Sequence, residues 1–169
     1  LMMTGTLALL GACASAVAAV EGPVEVNRAY TVTLKRPWTR IADTADSYWT
    51  RGDRLTQDGE SLNAIRLIGN LKNGDYIVRP QRKDLPTPTY KSAMTELELT
   101  EFVSDSLGAL CYEQVALANV RPKGFGRLDG VAMDLTATTP RGLKMKGEAR
   151  LAKAADNLNV MVFMAPELH

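Results

Sequence analysis

The chain has 169 residues, 46% of them hydrophobic and 23% charged, and its 20 basic and 19 acidic side chains give a formal net charge of +1. That balance excludes the strong positive field with which nucleic-acid binders gather their partner, and the composition is that of a folded chain, not a disordered one. The length suits one domain whose core needs no disulfide staples.

In chain order, Leu7-Ala8-Leu9-Leu10-Gly11-Ala12 is an apolar run ended by two small residues, and Cys13 follows directly. The run is too short to cross a bilayer, which needs about 20 apolar residues. It resembles the lipobox of bacterial lipoproteins, with Leu10 three places before the cysteine. The resemblance implies a signal peptide over 1–12, lipidation at Cys13, and attachment to a bacterial envelope membrane through that lipid. Ala14 and Ser15, with no Asp directly after the cysteine, imply the outer membrane, on its periplasmic side. Two other readings of the segment stay open: a signal cleaved near Ala16 to Ala19, or a mature segment. No Lys or Arg precedes the run and no Met opens it, so the signal peptide is expected to be truncated. Residues 13–27, small and broken by Gly22-Pro23, read as a lipidated tether. Residues 28–169 read as a single α+β domain, with truncation also expected past Pro166.

Tyr30, Val32 and Leu34 alternate on one face of a strand that Pro37 interrupts, and 38–41 resumes an extended path. A second strand is expected over 48–55, ending at Asp58-Gly59, and a third over 62–71. Asn73-Gly74 before Tyr76-Ile77-Val78 is the pattern of a hairpin turn, since both residues tolerate positive φ. Pro80, Pro86 and Pro88 make 79–90 a loop, with Arg82 and Lys83 in a solvated connection.

One helix is expected next. Thr95 can cap it, Glu98 supplies the reciprocal partner three residues on, and Met94 with Leu99 is spaced as a hydrophobic staple. Leu99, Phe102, Val103, Ser106, Leu107 and Leu110 fall on one face. Glu96, Glu98 and Glu101 suit the positive end of the helix dipole better than a metal site. From Glu113 the period becomes two. Val131, Met133, Leu135 and Ala137 form one apolar face; Leu143, Met145, Gly147, Ala149 and Leu151 form another, with Lys144, Lys146, Glu148 and Arg150 opposite. Val160 to Met164 is apolar without alternation, as in a central strand covered on both faces.

No catalytic or metal-binding constellation emerges, and neither a cofactor nor a metal ion is expected. The single histidine, His169, is terminal, which leaves no triad base within the fold and no clustered zinc ligands. Cys111, between Leu110 and Tyr112, lacks a basic neighbour and reads as a buried, inert thiol. The glycines of 124–130 miss the spacing of a phosphate loop and precede a strand, so a β-turn is the better reading. Asp43, Asp46, Asp58 and Asp129 all lie near turns, and a carboxylate pair among them stays open.

The order of these elements is similar to the PsbP/Mog1-like α/β/α sandwich, on Trp38, Asp58-Gly59-Glu60-Ser61-Leu62, Met94-Thr95-Glu96-Leu97 and Phe125-Gly126. The likeness is topological and runs from Tyr30 on. It implies an α+β fold with an antiparallel sheet of about six strands and one long helix packed on it. By analogy it also implies binding or assembly, not catalysis. The function expected is therefore a membrane-anchored, non-catalytic interaction or assembly module with an envelope protein as partner. Its interaction surface would be the mainly basic strip of Lys144, Lys146 and Arg150. The alternative is a carrier or sensor of an apolar small ligand held between sheet and helix, where methionines could form an adaptable lining. An enzyme with an unrecognised site is the third class.

Overall fold

The computed structural model describes residues 17–41, 48–50, 52–81 and 83–168. Eight strands form one antiparallel sheet in the order β1-β2-β3-β4-β8-β7-β6-β5. They are β1 (Val17–Val26), β2 (Tyr30–Ile41), β3 (Gly52–Thr56), β4 (Ala64–Leu71), β5 (Glu113–Pro122), β6 (Gly130–Thr138), β7 (Lys144–Ala154) and β8 (Asn157–Pro166), with one helix, α1 (Glu96–Gly108), between β4 and β5. The expected α+β sandwich of about six strands and a long helix is overturned. The fold is mainly β, and its 13-residue helix is only about 20 Å long.

The two additional strands come from segments whose prolines and glycines suggested breaks. Val17–Val26, inside the stretch read as a tether, pairs with β2 along most of its length. Pro23 is tolerated because β1 is an edge strand. Pro37 does not end β2, because it falls where the register shifts between Val20↔Trp38 and Gly22↔Leu34 and no ladder donor is needed. The turn at Asn27 and Arg28 has positive φ at both residues (45° and 55°), and the Ala29 amide donates to the Val26 carbonyl at 2.9 Å.

Only Thr39–Ile41 of β2 pairs with β3. The far half of the β1–β2 hairpin leaves the ladder and lies as an arm across one face of β3, β4 and β8. Its Val24, Val26 and Leu34 pack on Leu55 and Leu67. Gly69 is where arm and sheet touch most closely. A Cβ there would sit 2.8 Å from the Val26 carbonyl oxygen and 2.7 Å from the Ala29 Cβ.

The opposite face carries α1. Thr95 accepts from the Glu98 amide while the Glu98 carboxylate accepts from the Thr95 amide, closing the expected capping box. Leu99, Phe102, Val103, Ser106 and Leu107 are buried as the periodicity implied. Ser106 is accommodated because its hydroxyl donates to the Phe102 carbonyl at 2.6 Å. This stripe packs on Met133, Leu135, Ala149, Leu151, Val160 and Val162. Fully burying each large apolar side chain stabilises by roughly 1.5–3 kcal/mol. Lys153 holds the start of the helix by donating to the Ser92 and Met94 carbonyls at 2.8 and 2.7 Å.

Two local expectations need correction, and a third holds. Asn73-Gly74 does turn, with Gly74 at φ 89°, but no hairpin follows: Val78 bridges Trp49, and Trp49 itself lies outside β3. Tyr90 draws the chain inward instead, its amide donating to the Asp75 carbonyl and its hydroxyl to the Asp156 carbonyl at 3.0 Å. Cys111 is exposed, not buried. It adopts φ 66° just after the helix, and this left-handed turn carries it away from the stripe that buries Leu107. β8 does lie centrally, between β4 and β7.

Candidate functional site

A cleft of about 490 Å³ lies on the face opposite the helix, between the β1–β2 turn and the β5–β6 loop. Val32, Leu128 and Met161 supply its apolar wall, Tyr30 and Phe125 one end, and Arg127 and Arg150 its charged groups.

The arm is fixed to the sheet by polar groups as well as by its apolar face. Asn27 Nδ2 donates to the Gly69 carbonyl at 2.8 Å, and Asn70 Nδ2 donates back to the Asn27 carbonyl at 3.0 Å. Asn159, fully buried, accepts the Asn70 amide at 3.0 Å through Oδ1. Tyr30 completes the attachment, its hydroxyl donating to the Val160 carbonyl at 3.1 Å. Burial pushes the Tyr30 phenol far above the ordinary tyrosine value; a backbone hydrogen bond at Ile68 opposes this and the charge of Asp53 adds to it.

The other wall is a tight loop. Phe125 and Leu128 exchange backbone hydrogen bonds at 2.9 and 3.1 Å, leaving Gly126 and Arg127 at its tip. Gly126 takes φ 64°, in keeping with the glycine preference at the first central position of two-residue hairpin loops. The turn expected over 124–130 is thus present. It buries Phe125 against Tyr30 and lifts Arg127 into solvent.

Beyond the cleft, on the same face of the sheet, runs a chain of paired charges. Arg150 Nε donates to Glu148 Oε1. Arg121 donates to Glu148 Oε2 at 2.6 Å and to Asp134 Oδ1 at 2.8 Å. Asn119 donates to Asp134 Oδ2 at 2.8 Å. The Asp134 carboxyl is held below the usual range, first by Asn119 and then by Arg121. The cross-strand register Asp134↔Glu148 aligns these groups.

Lys144, Lys146 and Arg150 do share one face of β7, but the structure divides them. Lys144 and Lys146 are exposed toward the start of the strand, whereas Arg150 is half-buried, ion-paired and at the cleft. Because Glu148 binds two guanidiniums, the strip is less basic than its sequence suggests. Cys13, Asp43, Asp46, Arg82 and His169 lie outside the described residues. Asp58 accepts from Asn63 Nδ2 at 2.6 Å within its own turn, whereas Asp129 belongs to the β5–β6 loop. Glu98 is occupied with the helix cap. Among the described residues, no group of three or more His, Cys, Asp and Glu is placed to hold a metal ion.

A second polar cluster sits on the helix side, where Arg54 and Arg66 reach Glu60 at 3.2 and 2.7 Å. Arg66 also lies 5.2 Å over the Trp49 ring. Burial lowers the pKa of its guanidinium, and Glu60 opposes that shift. These contacts tie the β3–β4 turn to Trp49 and have a structural role.

Tyr30, Phe125, Arg127 and Met161 were absent from the residues singled out by sequence as a surface. The one available signal was the glycine-framed turn of 124–130, which identified a loop but not what it faces. No protein-family model, curated protein or solved structure matches the chain.

Proposed function

We propose that this protein is a non-catalytic binding module, held at a bacterial envelope membrane through Cys13, that takes a small ligand in the cleft between its arm and the β5–β6 loop. The observation that carries the binding reading is the cleft. Its volume of about 490 Å³ falls in the range of small-molecule sites, about 300–1,000 Å³, and it combines an apolar wall with few polar groups, as such sites do. The ligand site lies on the arm side of the sheet, and the helix–sheet interface is filled by the helix stripe.

The membrane reading is supported by Leu10-Gly11-Ala12-Cys13. Four residue steps separate Cys13 from Val17, a reach of at most about 14 Å. A lipid on Cys13 would therefore keep the start of β1 close to the bilayer. Among the described residues no helix is long and apolar enough to cross a membrane.

The test is native mass spectrometry of the protein released from membranes by mild detergent. A small-molecule adduct that is retained by the wild type and lost in Met161→Trp, which fills the cleft, is the expected result. Absence of any adduct in both overturns the ligand reading. For the anchor, Cys13→Ala should abolish acyl labelling and release the protein from the membrane fraction; continued labelling overturns it. A second reading, docking of an acidic envelope partner, is favoured by the exposure of Lys144 and Lys146. Their joint replacement by Ser should weaken partner capture and its salt sensitivity.

A further inference from the structure

We infer that the ligand of this cleft is an apolar molecule carrying one negative charge, a medium-chain carboxylate being its simplest form. The inference rests on the binding reading above and adds the chemical class. The cleft is lined by two charged side chains, Arg127 and Arg150, and by no carboxylate. The ion pairs then distinguish the two guanidiniums. Arg121 and Arg150 are balanced by Asp134 and Glu148, with Glu148 bridging the two guanidiniums. Arg127 makes no ion pair among the described residues, so one of the two guanidiniums that line the cleft has no carboxylate partner. A monoanion satisfies it, whereas a dianion would be left partly uncompensated next to Glu148.

Geometry points the same way. The contact with Glu148 uses Arg150 Nε, not the terminal nitrogens, and Arg150 lines the cleft. A guanidinium presents paired donors that match the two oxygens of a carboxylate. Val32, Leu128 and Met161 offer an apolar surface on which an alkyl tail is desolvated, and the thioether of Met161 can adapt to tails of different shape. Glu148 acts here as a positioning residue: it holds Arg150 while Arg121 holds it in turn.

The test uses the whole chain and three probes of equal tail length, decanoate, decanol and decyltrimethylammonium, in titration calorimetry. Decanoate should bind saturably and about ten-fold or more tighter than decanol, as expected for a charge-assisted hydrogen bond, and the cation should bind weakest. Arg127→Gln with Arg150→Gln should bring decanoate down to the level of decanol while circular dichroism stays unchanged. Arg127→Gln alone, an exposed change that leaves the Glu148 pair intact, should give an intermediate loss. Met161→Trp should abolish binding of both. Decanol binding as tightly as decanoate, or an undiminished preference in both arginine variants, overturns the head-group inference but leaves a ligand-binding cleft in place. Failure of all three probes in a protein that still carries a native adduct sensitive to Met161→Trp also overturns the proposed class alone. The absence of such an adduct overturns the underlying reading.

Discussion

Tyr30 stands edge-on to Phe125, with ring centroids 4.8 Å apart and planes inclined at 88°, and this contact joins the start of β2 to the loop between β5 and β6. It is the point where the two halves of the sheet meet across the cleft. Edge-to-face pairs contribute about 0.5–1.5 kcal/mol beyond the area they bury. Phe125→Ala should therefore destabilise the protein by about 3 kcal/mol or more through lost burial and lost pairing. In urea unfolding the midpoint should drop, and hydrogen exchange at Tyr30 and Val32 should accelerate more than exchange in β6 and β7.

Tyr30 also makes stability depend on alkaline pH. Its folded pKa is raised, so the stability it contributes is fully present below the ordinary phenol value near 10 and is lost as pH rises above that value toward the folded one. Tyr30→Phe removes the hydroxyl bond to Val160, costing about 1 kcal/mol at neutral pH, and should flatten the alkaline fall in stability. A fall of equal steepness in the variant would contradict the assignment.

Gly69→Ala should be more damaging than an ordinary surface change. The added methyl meets the Val26 carbonyl and the Ala29 Cβ, so arm or sheet must shift, at a cost of about 1–3 kcal/mol. Amide chemical shifts of 24–32 should move, while those of α1 on the other face should not. Shifts spread evenly over the chain would argue against the arm being seated on Gly69.

The capping box makes a separate prediction at acid pH. The Thr95 amide and then the Thr95 hydroxyl hold the Glu98 carboxyl below its ordinary range. This contribution is present above the ordinary glutamate pKa and disappears as pH falls through the lower, folded value. Thr95→Ala should cost about 1 kcal/mol. Glu98→Gln should make helix stability less sensitive to acid, as read by circular dichroism across a pH series.

Cys111, exposed and left-handed in its backbone, should react with a thiol reagent at a similar rate in native and denatured protein, as followed by peptide mapping. Cys111→Gly should be neutral or slightly stabilising, because glycine adopts that φ without the Cβ penalty of about 1–2 kcal/mol. Slow native labelling would place the thiol inside the fold after all.

These outcomes trace how far sequence patterns reach. The helix was legible because cap, staple and apolar stripe all lie within a few turns of Thr95. Strands β6 and β7 were legible because each buries one face, which enforces alternation. The arm was not, since Gly22, Pro23 and Pro37 read as breaks until the register shift of β1 against β2 shows where the chain tolerates them. Cys111 was misread because its neighbours are apolar, although a single left-handed residue turns it outward. Arg150 belongs by sequence to a basic strip; its place at the cleft depends on Glu148, which lies on the same strand, and on Arg121, Phe125 and Tyr30, brought in by tertiary pairing. No local period encodes such a meeting.

Along the sheet, every strand pairing but one joins neighbours in the sequence; the exception is β4 with β8. The molecule is thus two four-stranded meanders welded along one seam, with the helix in the connection between them. Six of the seven pairings close short loops, so the entropic toll of long-range closure falls on a single event. The Asn70–Asn159 bond and the Tyr30 hydroxyl on Val160 both bridge that weld. Zipping of β8 against β4 therefore also brings Met161 and the β5–β6 loop up to an arm already seated on β3 and β4, so the cleft closes only as the fold is completed.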